Sequence, residues 1–158
     1  MNEPDYHLYR LTDTARLPEL YALVQAAFGA LAIDPPSSVL KETLADFEKR
    51  LRSETAIVAE AGDRLIGGVF CIPQGDALYI GRLTVAPDRR RRGVAGALVD
   101  AAKNEARRVG AKRITLRARI MLPGNVALFR RHGFTVVAAE THAGFSAPTS
   151  YAMEWPVA

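Results

Sequence analysis

The sequence predicts one mixed α/β domain: a central mixed, twisted sheet of about seven strands flanked by four helices. Three observations predict it. Apolar residues recur with period two in seven short runs and with helical spacing in four longer ones. The order of these runs is β-α-α-β-β-β-α-β-α-β-β, which alternates too irregularly for a pure β or pure α fold. The 158 residues, 49% of them apolar and 24% charged, contain no repeat, low-complexity tract or linker, so residues 1–158 read as a single domain.

Tyr6–Leu11 reads as the first strand. Leu17, Leu20, Tyr21, Val24 and Phe28 follow helical spacing, with Asp13 or Thr14 as the cap and Pro18 confined to the first turn. Ser38 caps a second helix whose stripe is Leu40, Leu44, Phe47 and Leu51. Thr55–Glu60 and Leu65–Ile72 are strand runs joined through Ala61-Gly62-Asp63-Arg64, a hairpin signal. In Ala77–Val85, Leu78 and Ile80 share one phase, whereas Leu83 and Val85 hold the other. An extra residue repairs such a slip, which predicts a β-bulge at Gly81-Arg82; a strand buried on both faces would also tolerate it. A helix follows from about Gly93 to Val109, with Val94, Leu98, Ala101, Ala102, Ala106 and Val109 on its apolar face and Gly110 as its stop. Lys112–Ile120 alternates, with Ile114, Leu116, Ala118 and Ile120 on one side. Asn125 caps a short helix to His132, ended by Gly133, and Phe134–Ala139 and Ser150–Trp155 are the last strands.

The segment Val85-Ala86-Pro87-Asp88-Arg89-Arg90-Arg91-Arg92-Gly93-Val94-Ala95-Gly96 joins a strand to a helix through a basic turn. The first amides of a helix have no internal partner and carry the positive end of its dipole, so an anion there satisfies several donors. Gly93 and Gly96 keep side chains away from the backbone, and the arginines add donors. No Gly-Lys-Ser/Thr follows, which excludes the nucleoside-triphosphate loop, and no Gly-x-Gly-x-x-Gly is present. On chemistry alone the turn suits a phosphorylated ligand or is a solvated basic turn.

Arg90-x-x-Gly93-x-Ala95 resembles the Arg/Gln-x-x-Gly-x-Gly/Ala signature of GNAT-type N-acetyltransferases. The strand Leu83-Thr84-Val85-Ala86-Pro87 before it, the segment Asn125-Val126-Ala127-Leu128-Phe129-Arg130-Arg131-His132-Gly133-Phe134 and the closing Tyr151-Ala152-Met153-Glu154 are similar to that family as well. The resemblance implies a GNAT fold and acetyl-coenzyme A as co-substrate. Its pyrophosphate would lie on backbone amides between Arg91 and Gly96, with Arg90, Arg92, Gly93, Val94 and Ala95 around it. Pantetheine would pass between the splayed strands Ala77–Val85 and Lys112–Ile120, against Leu83, Thr84, Val85, Asn125 and Phe129. The activity implied is acetyl transfer to a primary amine by direct attack in a ternary complex. A non-catalytic acetyl-coenzyme A sensor is the alternative.

Direct attack needs a neutral amine, although an alkylamine titrates near about 10.4. Negative charge then develops on the carbonyl oxygen, and the Val85 backbone N–H is the donor that the resemblance offers it. The leaving thiol, with a pKa of about 8.5, departs with little acid help. That bears on Phe129, which stands where the family often places an acidic Tyr. Tyr79, His142 and Tyr151 are the candidate bases, and His142 reads otherwise as a surface loop residue. By analogy the acceptor meets the thioester between Ala27–Ser37 and the loop near Thr141–Ser150. Phe28, Leu31 and Ile33 would form an apolar wall, Asp34 would hold a cationic amine, and Tyr79 and Tyr151 would border it. The acceptor class is a small-molecule or peptide amine.

The net charge of +4 favours anionic partners in general. No aromatic residue is interleaved with Arg89–Arg92, which argues against a nucleic-acid binder. His7, His132 and His142 pair with nothing at metal-ligand spacing, so no metal is expected. There is no Gly-x-Ser-x-Gly elbow, and the lone Cys71 reads as a buried strand residue. The polar start MNEPDYHLYR and the lack of a membrane-length apolar run predict a cytoplasmic protein without membrane contact. A homodimer would be ordinary for such a chain.

Overall fold

Neighbouring residues of the central strands are apolar on both sides, so the sheet must be covered on both faces. The computed structural model describes residues 5–158; the polar start Met1–Pro4 lies outside them. In chain order come β1 (His7–Arg10), α1 (Leu17–Gly29), α2 (Leu44–Arg50), β2 (Thr55–Ala61), β3 (Arg64–Gln74) and β4 (Ala77–Val85). Then follow α3 (Val94–Val109), β5 (Arg113–Arg119), α4 (Pro123–Arg131), β6 (Thr135–Glu140) and β7 (Ser150–Pro156). The seven strands form one sheet in the order β1-β2-β3-β4-β5-β7-β6. Only β4 and β5 run parallel, joined by the α3 crossover.

Ile57, Ala59, Val69, Cys71, Leu78, Ile80, Ile114 and Leu116 meet Val94, Leu98, Val99, Ala102 and Ala106 of α3 and Val126 and Phe129 of α4. On the other face Ala56, Val58, Leu65 and Phe70 meet Leu17, Leu20, Val24 and Phe47 of α1 and α2. Phe47 stands edge-on to both Tyr21 and Phe70, with centroids 5.0 and 5.4 Å away.

The expected element order holds, and three local assignments change. The stretch from Ser38 to Leu51 is not one helix. Ser37 caps a 3-10 turn over Ser38–Lys41, and a reciprocal Thr43–Asp46 capping box then starts α2 afresh. Leu40 is consequently left exposed. Asp13 caps a short 3-10 turn, Thr14–Arg16, and α1 begins behind it with Pro18 in its first turn. Asn125 does not cap α4: Pro123 opens that helix, Leu122 occupies the cap position, and Asn125 lies within the first turn.

The slip in β4 is a bulge, one residue further along than the expected Gly81-Arg82, because Gly81 still pairs regularly with Phe70. Gly68 pairs with Thr84 and Phe70 with Gly81, so Val69 alone faces both Arg82 and Leu83. Arg82 takes the left-handed backbone, φ +56°, one residue after the glycine. Its carbonyl accepts the Thr84 hydroxyl at 2.9 Å.

Gly67 and Gly68 of β3 let helices approach from opposite faces. A Cβ on Gly67 would lie 2.9 Å from the Thr84 carbonyl oxygen and 3.1 Å from Leu98; one on Gly68 would lie 2.9 Å from Leu20. Because the Thr84 carbonyl is backbone and cannot rotate away, Gly67→Ala is expected to destabilise the fold by about 1–3 kcal/mol. Chemical denaturation checks this; an unchanged midpoint would show that β3 and α3 yield freely.

Candidate active site

β4 and β5 exchange hydrogen bonds only from Ala77↔Arg113 to Tyr79↔Thr115. Past that point they separate, and a cleft of about 650 Å³ opens between them. Its walls include Leu83, Thr84 and Val85 of β4, Leu116–Arg119 of β5, and Leu122, Asn125, Leu128 and Phe129 beside α4. The α1–α2 side contributes Ala27, Phe28, Leu31 and Ile33.

The Val85 amide faces this opening. Ala86 N–H donates to the Ile66 carbonyl at 2.7 Å, so Gly67 and Val85 form a non-hydrogen-bonded pair. The Val85 N–H therefore turns from β3 towards β5, whose pairing has already ended. A short way on, Gly93 adopts φ +83° as the residue before α3, a conformation that would strain any side chain. The first bond of that helix runs from Ala97 N–H to the Gly93 carbonyl at 3.0 Å. The amides of Val94, Ala95 and Gly96 thus have no acceptor among the described residues. Arg90, Arg91 and Arg92 are exposed around them, Arg91 with φ +62°. Asp88 is engaged by Arg64 rather than by this turn.

Gly96 has a reason that its sequence context did not disclose. A Cβ there would lie 3.0 Å from His132 Nε2, so its bare side admits α4 rather than a ligand. The Val94 side chain is buried in the core, and only its backbone belongs to the turn. Thr84 is buried, with its hydroxyl spent on the Arg82 carbonyl. Phe129 is 7% exposed, lines the cleft and packs edge-on to Phe134 at 5.8 Å.

Tyr79 and His142 both line the cleft. The Arg117 guanidinium lies 5.8 Å from the Tyr79 ring centre, and Arg117 also bonds Glu140 at 2.8 Å. His142 is half-buried, its backbone N–H donates to Thr149 Oγ1 at 3.0 Å, and its Nδ1 touches the same oxygen. The Glu140 carbonyl accepts from Thr149 N–H at 2.8 Å, which holds the Thr149 hydroxyl beside the imidazole. Phe28, Leu31 and Ile33 lie together on the wall. Asp34 and Tyr151 do not. Asp34 is exposed outside the lining, and Tyr151 packs against the α3-side core opposite Ala118.

The sequence reading missed the ion cluster that stands behind Arg50 and Arg82 of the cleft wall. Glu42 accepts Arg82 through Nε (2.9 Å) and Nη2 (2.6 Å), and Arg50 through Nε (2.6 Å). Arg50 also donates to Glu54 at 2.8 Å. Burial works against the Arg50 charge, and its bonds to Glu42 and Glu54 outweigh that and raise its pKa. This ionic cluster ties the bulge to the segment before α2. Its signal was a charged residue beside the phase slip.

A sequence profile of the acetyltransferase (GNAT) family matches residues 17–134, from α1 through α4. The chain belongs to that family. Among solved structures, this GNAT chain is similar to the PaiA N-acetyltransferase from Thermoplasma acidophilum in complex with coenzyme A. The two are 14% identical with TM-score 0.81, covering 96% of this chain and 98% of that one. It is also similar to a ribosomal-protein-alanine N-acetyltransferase from Brucella melitensis, at 19% identity and TM-score 0.79 over 95% and 99% of the two chains. A mycothiol acetyltransferase from Kocuria rhizophila is 38% identical over 82 residues, 51% of this chain; the match spans 26% of that longer protein. No helix among the described residues is long and apolar enough to cross a membrane.

Two outcomes follow from this geometry. Glu42→Ala leaves Arg50 and Arg82 without their shared carboxylate, so a loss of about 2 kcal/mol or more is expected in denaturant titration. Cys71 is fully buried, and desolvation pushes its thiol up to about 12. Ellman's reagent is expected to leave it unmodified at neutral pH until the protein is unfolded; rapid labelling of the native state would contradict its placement.

Proposed function

We propose that the chain transfers an acetyl group from acetyl-coenzyme A to a primary amine by direct attack in a ternary complex. The observation that carries this reading is the Val85 amide, turned into the gap where β4 has parted from β5. Bound acetyl-coenzyme A would supply a thioester carbonyl there. The free amides of Val94, Ala95 and Gly96, with Arg90, Arg91 and Arg92, suit a pyrophosphate. Leu83, Asn125 and Phe129 suit the pantetheine arm that leads from it.

Each step falls to a group of this chain. The Val85 N–H is positioned to stabilise charge developing on the carbonyl oxygen. His142, on the cleft wall and held by its contacts with Thr149, is the base that takes the proton from the amine. Tyr79, also on the wall, is the group that returns a proton to the departing sulfur. Phe129 has no proton to give, so it serves only as an apolar wall. The buried Cys71 rules itself out as an acetyl carrier, which favours direct attack over a cysteine-bound intermediate.

Calorimetry with coenzyme A, followed by thiol release with a panel of amines, tests the reading. His142→Gln is expected to lower kcat by about a hundredfold while coenzyme A affinity is kept. Tyr79→Phe should act more weakly, because a thiolate leaves readily. Tight coenzyme A binding without turnover of any amine would instead make the chain a sensor. No measurable coenzyme A binding would reject both.

A further inference from the structure

Among the described residues, five guanidinium groups line the cleft, from Arg50, Arg82, Arg90, Arg117 and Arg119, and no carboxylate or ammonium side chain does. Three of the five are matched within the fold: Arg50 by Glu42 and Glu54, Arg82 by Glu42, and Arg117 by Glu140. Among the described residues, Arg90 and Arg119 have no carboxylate oxygen within 4.0 Å. Arg90 belongs to the turn that the proposed function gives to a pyrophosphate. Arg119 is left over.

Its position says which substrate it serves. Ile114, Leu116 and Ala118 face the core beneath α3 and α4. The alternate residues Arg117 and Arg119 therefore face the other side of the sheet, where Phe28, Leu31 and Ile33 form the wall. Arg119 Nη1 donates to the Pro35 carbonyl at 2.6 Å, which fixes the guanidinium against the α1–α2 connection. A guanidinium carries five N–H donors, and among the described residues the Arg119 side chain makes this one hydrogen bond. A planar fork remains for a ligand.

We propose that the amine acceptor carries a carboxylate, and that the Arg119 guanidinium receives it. The inference rests on the acetyl-transfer reading for the identity of the acceptor and on the cleft itself for its charge. A carboxylate matches the fork bidentately and neutralises the unmatched cation. A diamine or polyamine would instead bring a second positive charge into a cleft walled by guanidinium groups. Partial burial lowers the Arg119 pKa, and the nearby Asp34 offsets this in part, so the cation is held at some cost. Asp34 itself stays outside the lining and beyond ion-pair distance, leaving the position open for an incoming anion.

The test uses the full chain saturated with coenzyme A. N-acetylglycine, N-acetyl-β-alanine and N-acetyl-L-leucine, the products of such a reaction, are titrated by calorimetry beside their primary carboxamides. At least one acid should bind about tenfold or more tightly than its amide, the size expected of a charge-assisted contact. Arg119→Gln should bring that ratio close to unity and Arg119→Lys should retain part of it, with coenzyme A affinity reporting that both variants are folded. A loss of packing against Pro35 alone would weaken acid and amide alike and leave the ratio unchanged. The ratio in the unaltered protein decides the matter even if Arg119→Gln does not fold. Equal binding of acid and amide, or no binding of any acid, overturns the inference. Acid binding without thiol release from acetyl-coenzyme A and the free amino acids would overturn acetyl transfer and leave the Arg119 assignment standing. Turnover of 1,4-diaminobutane with no preference for acids would do the reverse.

Discussion

Beyond Tyr79 and Thr115, β4 and β5 no longer share hydrogen bonds, and two rows of backbone polar groups face open space inside a folded domain. Buried backbone groups are nearly always paired, so a gap of this kind must be enforced. The extra residue at Arg82-Leu83 enforces it, because a bulge bends its strand and raises the local twist. β3 follows β4 across the bulge and keeps Val85 paired with Gly67, which fixes the direction of the Val85 amide. Wall, donor and turn all take their positions from that one irregularity.

The irregularity is held from the side. A non-glycine residue in the left-handed region costs roughly 1 kcal/mol. Arg82 is kept there by its fork on Glu42, by the Thr84 hydroxyl on its carbonyl, and by the face of Phe70 at 5.8 Å. Glu42 follows the 3-10 turn that interrupts the helical pattern after Ser38, so the break between that turn and α2 delivers its carboxylate to the bulge. The apparent defect in helix propensity and the apparent defect in strand pairing meet in one ion cluster.

What could be read from the sequence was what periodicity and punctuation encode. The phase slip between Ile80 and Leu83 located the bulge, Gly93 located the start of α3, and the alternation in β5 located its core side. What escaped depends on partners distant in sequence. Thr43 and Asp46 form a box that outranks the continuous stripe from Leu40 to Leu51. Pro123 outranks Asn125 at the head of α4 because its ring already supplies the helical φ. Gly96 looked like room for a ligand and is room for His132. Arg119 occupied the polar phase of a strand, where solvent was the simplest expectation, and only the curl of the chain at Pro35 encloses it.

The adjoining glycines of β3 have a mechanical consequence. Leu20 presses on one of them from the α1 side, while Leu98, Val94 and the Thr84 carbonyl press on the other from the opposite side. The two helices are thereby spaced from a single shared peptide. Both helix-to-sheet distances are therefore set at one dipeptide, and a side chain added to either glycine would push away the layer on its own face.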